Sequence, residues 1–172
     1  VPTDYAEIVR DVFGDLGVAL TFEPGRRLTG EAGILVTRVI YIKESGGRRF
    51  AVVDAAMNDL IRPTLYDAWH DIDPVAEPAG DALRAPVDIV GPVCETGDVL
   101  AIQRDMPALA PGDLLAVRAA GAYGAVMSSS YNSRLLVPET MVDGAQYAVI
   151  RPRPDYDTLI AQDVVPEWIA GG

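Results

Sequence analysis

The sequence predicts a mainly β protein in two unequal parts: an α/β segment over residues 1–33 and a β-rich domain over residues 34–172. Three observations carry this. Apolar residues recur at helical spacing at the start of the chain. After Gly33, short Val-, Ile- and Leu-rich runs are separated by Gly and Pro at close intervals, the rhythm of a β-sandwich or Greek-key barrel. Hydrophobic residues make up 49% of the chain and charged residues 23%, which is ordinary globular material and argues against disorder.

Each element follows from its residues. Tyr5, Ile8, Val9, Val12, Phe13 and Leu16 predict a helix over 3–16, with Thr3 or Asp4 to cap it and Gly17 to end it. Val18–Phe22 reads as a short strand feeding the loop Glu23-Pro24-Gly25-Arg26, and 27–33 as a short helix. Helix, glycine turn, strand and loop make one α/β unit, too short to close a barrel by itself. Residues 34–42 and 49–54 are β-rich and joined by Glu44-Ser45-Gly46-Gly47, a hairpin signal. Residues 57–66 read as loop and helical turn. Further strands are expected over 85–93, 99–102, 113–119, 134–138 and 146–150, a short helix after Gly121, and a terminal helix over 155–162.

Composition excludes several functions. The net charge of −11 is wrong for a nucleic-acid partner, whose phosphates require basic patches. No run of about 18 apolar residues marks a membrane span, and the N-terminus lacks the features of a signal peptide. One cysteine, Cys94, rules out an intrachain disulfide and a cysteine zinc cluster, and makes a reducing, cytoplasmic setting the default. One histidine, His70, rules out a multi-histidine metal site and reads as a structural or surface residue. Asp71/Asp73 and Asp155/Asp157 read as solvated acidic faces. A start at valine fits a chain that begins within a longer one.

Four clusters stand out. In Glu23-Pro24-Gly25-Arg26, the glycine lets an anion approach the backbone and the arginine offers a forked donor. The same residues also make an ordinary Pro-Gly turn. Arg62-Pro63-x-x-Tyr66 sets an arginine and a tyrosine on one side of a helical turn, a carboxylate clamp or a surface pair. Cys94-Glu95-Thr96-Gly97-Asp98 puts the only thiol in a polar loop. A thiol carries its proton at neutral pH and is a feasible general acid, although a lone cysteine is more often a small hydrophobe. Gly121-Ala122-Tyr123-Gly124 follows a strand, where small residues let backbone close on a ligand, or simply on itself, while one aromatic projects.

In this order the clusters resemble the C-terminal part of the fold-type III, pyridoxal-phosphate-dependent amino acid decarboxylases, most closely the diaminopimelate decarboxylases. The resemblance is carried by Glu-Pro-Gly-Arg-x-Leu-x-Gly-x-Ala-Gly through Gly33, by the string from Val53 to Pro63, by Cys94–Asp98 and by Gly121–Gly124. It extends to Val165-Pro166-Glu167-Trp168. It implies that residues 1–33 end a (β/α)8 barrel that binds pyridoxal 5'-phosphate. It further implies that Glu23, Pro24, Gly25, Arg26 and Tyr123 hold the cofactor, that Arg26, Arg62, Tyr66, Glu95 and Tyr123 bind substrate, and that Cys94 donates a proton across a homodimer interface. The implied reaction converts meso-2,6-diaminopimelate to L-lysine and CO2. Glu95 favours that substrate, because ornithine-type relatives carry aspartate there. The chain departs from the family in one respect: its only lysine, Lys43, lies in a turn-like stretch, so the Schiff-base lysine must come from an N-terminal barrel portion of the same enzyme, present as another chain or absent. The resemblance predicts that the chain alone is inactive. The alternatives are a related pyridoxal-dependent basic amino acid decarboxylase, or a non-catalytic regulatory β-domain that binds such an enzyme.

Overall fold

The computed structural model describes residues 2–170. Helix α1 (Pro2–Phe13) continues into a 3-10 turn at Gly14–Leu16 and stops at Gly17, which takes the left-handed conformation at φ 63°. The expected amphipathic spacing is present, yet Tyr5, Ile8, Val12, Phe13 and Leu16 are all exposed. Tyr5 meets Phe22 edge-to-face at 5.9 Å. The strand expected over Val18–Phe22 does not form. Its β-type side chains find no adjacent strand among the described residues, and a lone β-run leaves its backbone groups to water. Helix α2 (Gly25–Thr29) and a 3-10 turn (Gly30–Ala32) follow, much as expected.

The β-rich domain takes the barrel form of the two expected. Its strands are β1 (Leu35–Ser45), β2 (Arg48–Val53), β3 (Ile72–Pro74), β4 (Arg84–Val90), β5 (Val99–Pro107) and β6 (Leu114–Val117). They form one six-stranded sheet in the order β3-β6-β1-β2-β4-β5. The β1–β2 hairpin turns at Gly46 and Gly47, both with positive φ (59° and 73°), as a twist-matched two-residue turn requires. Strand β1 pairs with β6 through Leu35–Arg38 and with β2 through Val39–Ser45, with a register shift between Val39 and Tyr41 where it passes from one partner to the other.

Every strand of this sheet contributes to one core. Val39, Val53, Ile72, Ile89, Leu100, Met106, Leu115 and Val117 all lie in it, so the two outer strands β3 and β5 face the same interior. Arg104 of β5 also donates to the His70 carbonyl just before β3, at 2.9 Å, which ties the sheet's edges together.

Strands β2 and β4 are parallel, with Phe50, Ala51 and Val52 opposite Asp88, Ile89 and Val90. Parallel neighbours cannot be joined by a tight turn. The long crossover between them carries the fully buried Leu60, helix α3 (Arg62–Tyr66) and β3. It also carries Arg62 and Tyr66 of the candidate site.

The hairpin of β7 (Glu139–Asp143) and β8 (Gln146–Arg151) forms a separate two-stranded sheet. The strand expected over 134–138 is displaced to β7, because Arg134 turns inward to donate to the Asp54 carbonyl at 2.6 Å. Helix α4 (Tyr156–Ile160) is shorter than expected. Its N-cap, Asp155, accepts the Thr158 N–H at 2.7 Å and is held below the usual carboxylate range by that contact, so this acid is a cap as well as a solvated residue. Helix α5 spans Glu167–Ala170. No helix among the described residues is long and apolar enough to cross a membrane.

Candidate functional site

Three segments distant in sequence converge at one end of the sheet. The first contact is backbone on backbone. The Ala120 N–H donates to the Gly33 carbonyl at 2.9 Å, and the Gly121 N–H to the Gly30 carbonyl at 3.0 Å. A Cβ on Gly33 would stand 2.7 Å from the Gly121 Cα, and one on Gly121 would be driven into the Thr29 carbonyl oxygen. Only glycine fits at either position. Through this seam the segment after Glu23-Pro24-Gly25-Arg26 docks against the loop that carries Tyr123.

The second contact gathers three predicted site residues. Arg62 is 8% exposed, and its guanidinium carbon lies 5.8 Å from the Tyr66 ring centroid and 5.6 Å from that of Tyr123. The helical spacing of Arg62 and Tyr66 puts both on one side of α3, with Pro63 in its first turn. Tyr123 sits at φ 61°, a left-handed conformation that turns its ring toward the arginine. Tyr66 and Tyr123 stay half-exposed, so the arginine is flanked by aromatics that also face solvent.

The third contact ties the Cys94–Asp98 loop to α3. The Thr64 hydroxyl donates to the Gly97 carbonyl at 2.6 Å, and a Cβ on Gly97 would stand 2.7 Å from the Thr64 methyl. Cys94 and Glu95 are exposed; Glu95 accepts the Gly97 N–H at 3.2 Å. The tether joins the loop to α3 through Thr64 and Gly97, not through the Cys94 or Glu95 side chains. Glu23, Pro24, Gly25 and Arg26 are likewise exposed. No heavy atom lies within 4 Å of a Cβ built on Gly25.

Sequence reasoning missed the residues that hold these loops. Asp98, 3% exposed, accepts the Met57 N–H at 2.6 Å and the Val93 N–H at 2.7 Å, pinning the cysteine loop to the crossover. Asn58 donates to the Ser129 and Tyr131 carbonyls at 3.1 and 2.8 Å, which gives the 127–132 stretch its structural role. Asp59 accepts the Ala56 N–H at 2.9 Å and faces Arg134 at 3.7 Å. Burial pushes its carboxyl above the usual range, against that hydrogen bond and the charges of Arg134 and Arg153. His70 is buried, and its Nδ1 lies 2.9 Å from the Arg118 carbonyl. The one readable signal was that Asp98 and Asn58 lie inside motifs already singled out.

A concavity of about 530 Å3 opens elsewhere, at the β1–β2 turn and Gln103. Its arginines, Arg48 and Arg49, are spent on Asp88 and Glu44, so it lacks the convergent free donors of the Arg62 face. Among the described residues no group of three or more His, Cys, Asp or Glu side chains could hold a metal ion.

Comparison with known proteins agrees with this fold. Residues 8–121 match the family described as pyridoxal-dependent decarboxylase, C-terminal sheet domain. The chain is 50% identical over 165 residues to a diaminopimelate decarboxylase of Zymomonas mobilis, covering 96% of this chain and 38% of that protein. It is also 50% identical to one of Pseudomonas aeruginosa, covering 95% and 39%. A crystal structure of AQ1208 from Aquifex aeolicus superposes with a TM-score of 0.84 at 43% identity, over 94% of this chain and 40% of that one. The Helicobacter pylori diaminopimelate decarboxylase complexed with L-lysine superposes at 0.80 and 39% identity, over 92% and 39%. The chain thus spans about 40% of the length of these relatives. The matched span, the identities and the superposed fold together show that the chain belongs to the Orn/DAP/Arg family of pyridoxal-dependent decarboxylases as its C-terminal portion.

Proposed function

We propose that this chain supplies the substrate-binding and proton-donating residues of a pyridoxal-phosphate-dependent diaminopimelate decarboxylase, releasing CO2 from meso-2,6-diaminopimelate and leaving L-lysine. The observation that carries this is the Arg62 guanidinium, buried between Tyr66 and Tyr123 beside a tethered cysteine loop. A planar fork with one face on aromatics suits bidentate recognition of a carboxylate.

The exposed residues fit the anionic end of the cofactor. Gly25 leaves its backbone open to a phosphate, and Arg26 and the Tyr123 hydroxyl stand exposed to donate to it. Glu23 and Pro24 shape that turn. The covalent lysine is not here: Lys43 sits on β1 opposite Phe50, in the hairpin. Bound pyridoxal phosphate supplies the electron sink for decarboxylation. This chain's residues do the rest. Arg62, Tyr66 and Arg26 hold the distal carboxylate, and Glu95 pairs with the distal ammonium. The Cys94 Sγ holds the proton that replaces CO2 on the substrate carbon.

The seam near residue 33 divides a terminal barrel segment from the β-domain. The exposed apolar face of α1 is the surface on which the lysine-bearing barrel portion docks. A second copy completes the site through the cysteine loop, in a cytoplasmic homodimer with no membrane or nucleic-acid partner. The test is turnover by this chain assembled with its lysine-bearing portion. Release of CO2 from meso-diaminopimelate should exceed that from ornithine. Cys94→Ala should lower kcat by about 100-fold or more. Equal rates for Cys94→Ala and the parent would remove the cysteine from the chemistry, and a preference for ornithine would move the assignment to a sibling enzyme.

A further inference from the structure

His70 and Arg62 are both anchored on the stretch that leads to Tyr123. His70 Nδ1 lies 2.9 Å from the Arg118 carbonyl, and the Arg62 guanidinium lies over the Tyr123 ring. The chain folds back after α3, where the Ala68 N–H donates to the Arg62 carbonyl at 3.3 Å and Asp67 takes φ 51°, so His70 follows two residues after a return to the Arg62 backbone.

A carbonyl oxygen only accepts, so the ring proton sits on Nδ1 and Nε2 carries a lone pair. That Nε2 is buried with no hydrogen-bond partner among the described residues. So is the Nε–H of Arg62. An acceptor without a donor and a donor without an acceptor are each costly when buried, and His70 and Arg62 carry one of each. Burial, and then the positive charges of Arg62, Arg26 and Arg104, lower the histidine's pKa against the hydrogen bond to Arg118, which keeps the ring neutral. Arg104 also has a buried Nε–H without an acceptor. Its guanidinium, however, is already fixed by the His70 carbonyl and by the Trp69 ring beneath it.

We propose that His70 is a positioning residue: its buried, neutral Nε2 accepts through one water from the Arg62 guanidinium and sets the plane in which Arg62 meets a carboxylate. The role rests on the reading of Arg62 as the carboxylate-binding residue. It gives the buried histidine a function that its hydrogen bond to Arg118 alone does not.

Because the chain has one histidine, 15N-histidine labelling of the full chain reads this site without overlap. The Nε2 resonance should be that of an unprotonated, hydrogen-bonded nitrogen at neutral pH. It should shift in Arg62→Lys and in Arg62→Gln, the second variant guarding against misfolding of the first, and stay in place in Arg104→Lys. Adding meso-diaminopimelate, or glutarate as a plain dicarboxylate, should shift it again. A resonance that responds to both Arg62 variants but to neither ligand upholds the link between His70 and Arg62 but removes the carboxylate reading on which the positioning role rests, and so overturns that role. A resonance indifferent to both Arg62 variants, or responsive only to Arg104→Lys, overturns the proposal whatever the ligands do.

Discussion

Gly121→Ala is the most informative single substitution in this chain. The added methyl would collide with the Thr29 carbonyl and stand 2.8 Å from the Gly33 nitrogen, all of it backbone that no side-chain rotation can relieve. Relief requires segment 25–33 to move off the 118–124 loop. Two hydrogen bonds go with it, Ala120 N–H to Gly33 and Gly121 N–H to Gly30. At about 1 kcal/mol each, with about 1–2 kcal/mol of residual overlap, the loss is about 3–4 kcal/mol. For a chain of this size that lowers Tm by roughly 6–16 °C. Gly25→Ala is the matched control. It has open space around it and should leave stability within about 0.5 kcal/mol of the parent. Thermal unfolding measures the total, and amide exchange at Ala120 and Gly121 locates it, since the seam should lose protection first. If Gly121→Ala melts with Gly25→Ala and its amides stay protected, the seam does not hold the two loops together and the argument for a joint site fails.

Two further predictions concern buried polar groups. Asp98→Ala strands the Met57 and Val93 N–H groups, at about 1–3 kcal/mol apiece, so urea unfolding should show a loss of about 2–6 kcal/mol; a loss under about 1 kcal/mol would mean that other contacts fix the cysteine loop. The second follows from the lowered pKa of His70, caused first by burial. The unfolded chain takes up this proton near pH 6.5 and the native chain only below that. Below about pH 6.5 the unfolded state therefore binds more protons, and stability falls as pH drops toward the native pKa. Urea midpoints measured from pH 7 down to pH 5 should fall more for the parent than for His70→Gln; parallel slopes would place the ring in contact with solvent.

The elements that sequence alone revealed are those with local causes. The glycine pair at 46 and 47 demands its turn, and the apolar spacing of α1 demands its helix, even though the helix buries little in this chain. The elements it missed have distant causes. β3 is three residues long and exists because β6, some forty positions later, offers Val117, Ala116 and Leu115 as partners. Val18–Phe22 has the composition of a strand and finds no partner strand among the described residues. The site divides the same way. Arg62 and Tyr66 were legible from a four-residue spacing, whereas their meeting with Tyr123 depends on the barrel closing. Asp98, Asn58 and His70 act by bonding backbone far away in sequence, and no local pattern announces that.

The parallel pairing of β2 with β4 also sets an order of events in folding. The β1–β2 hairpin can form as soon as its own residues exist, but β4 cannot find its register until residues 54–83 have wrapped over the core. Arg62 and Tyr66 travel on that wrap, so sheet closure and assembly of the arginine cluster are one kinetic step. Trp69, with Arg104 over its ring, sits where the edges join and is a built-in clock for the step. Refolding followed by its fluorescence in a Trp168→Phe background should report the slowest phase of the chain, and a Trp69 signal complete before β4 amides are protected would separate the two events.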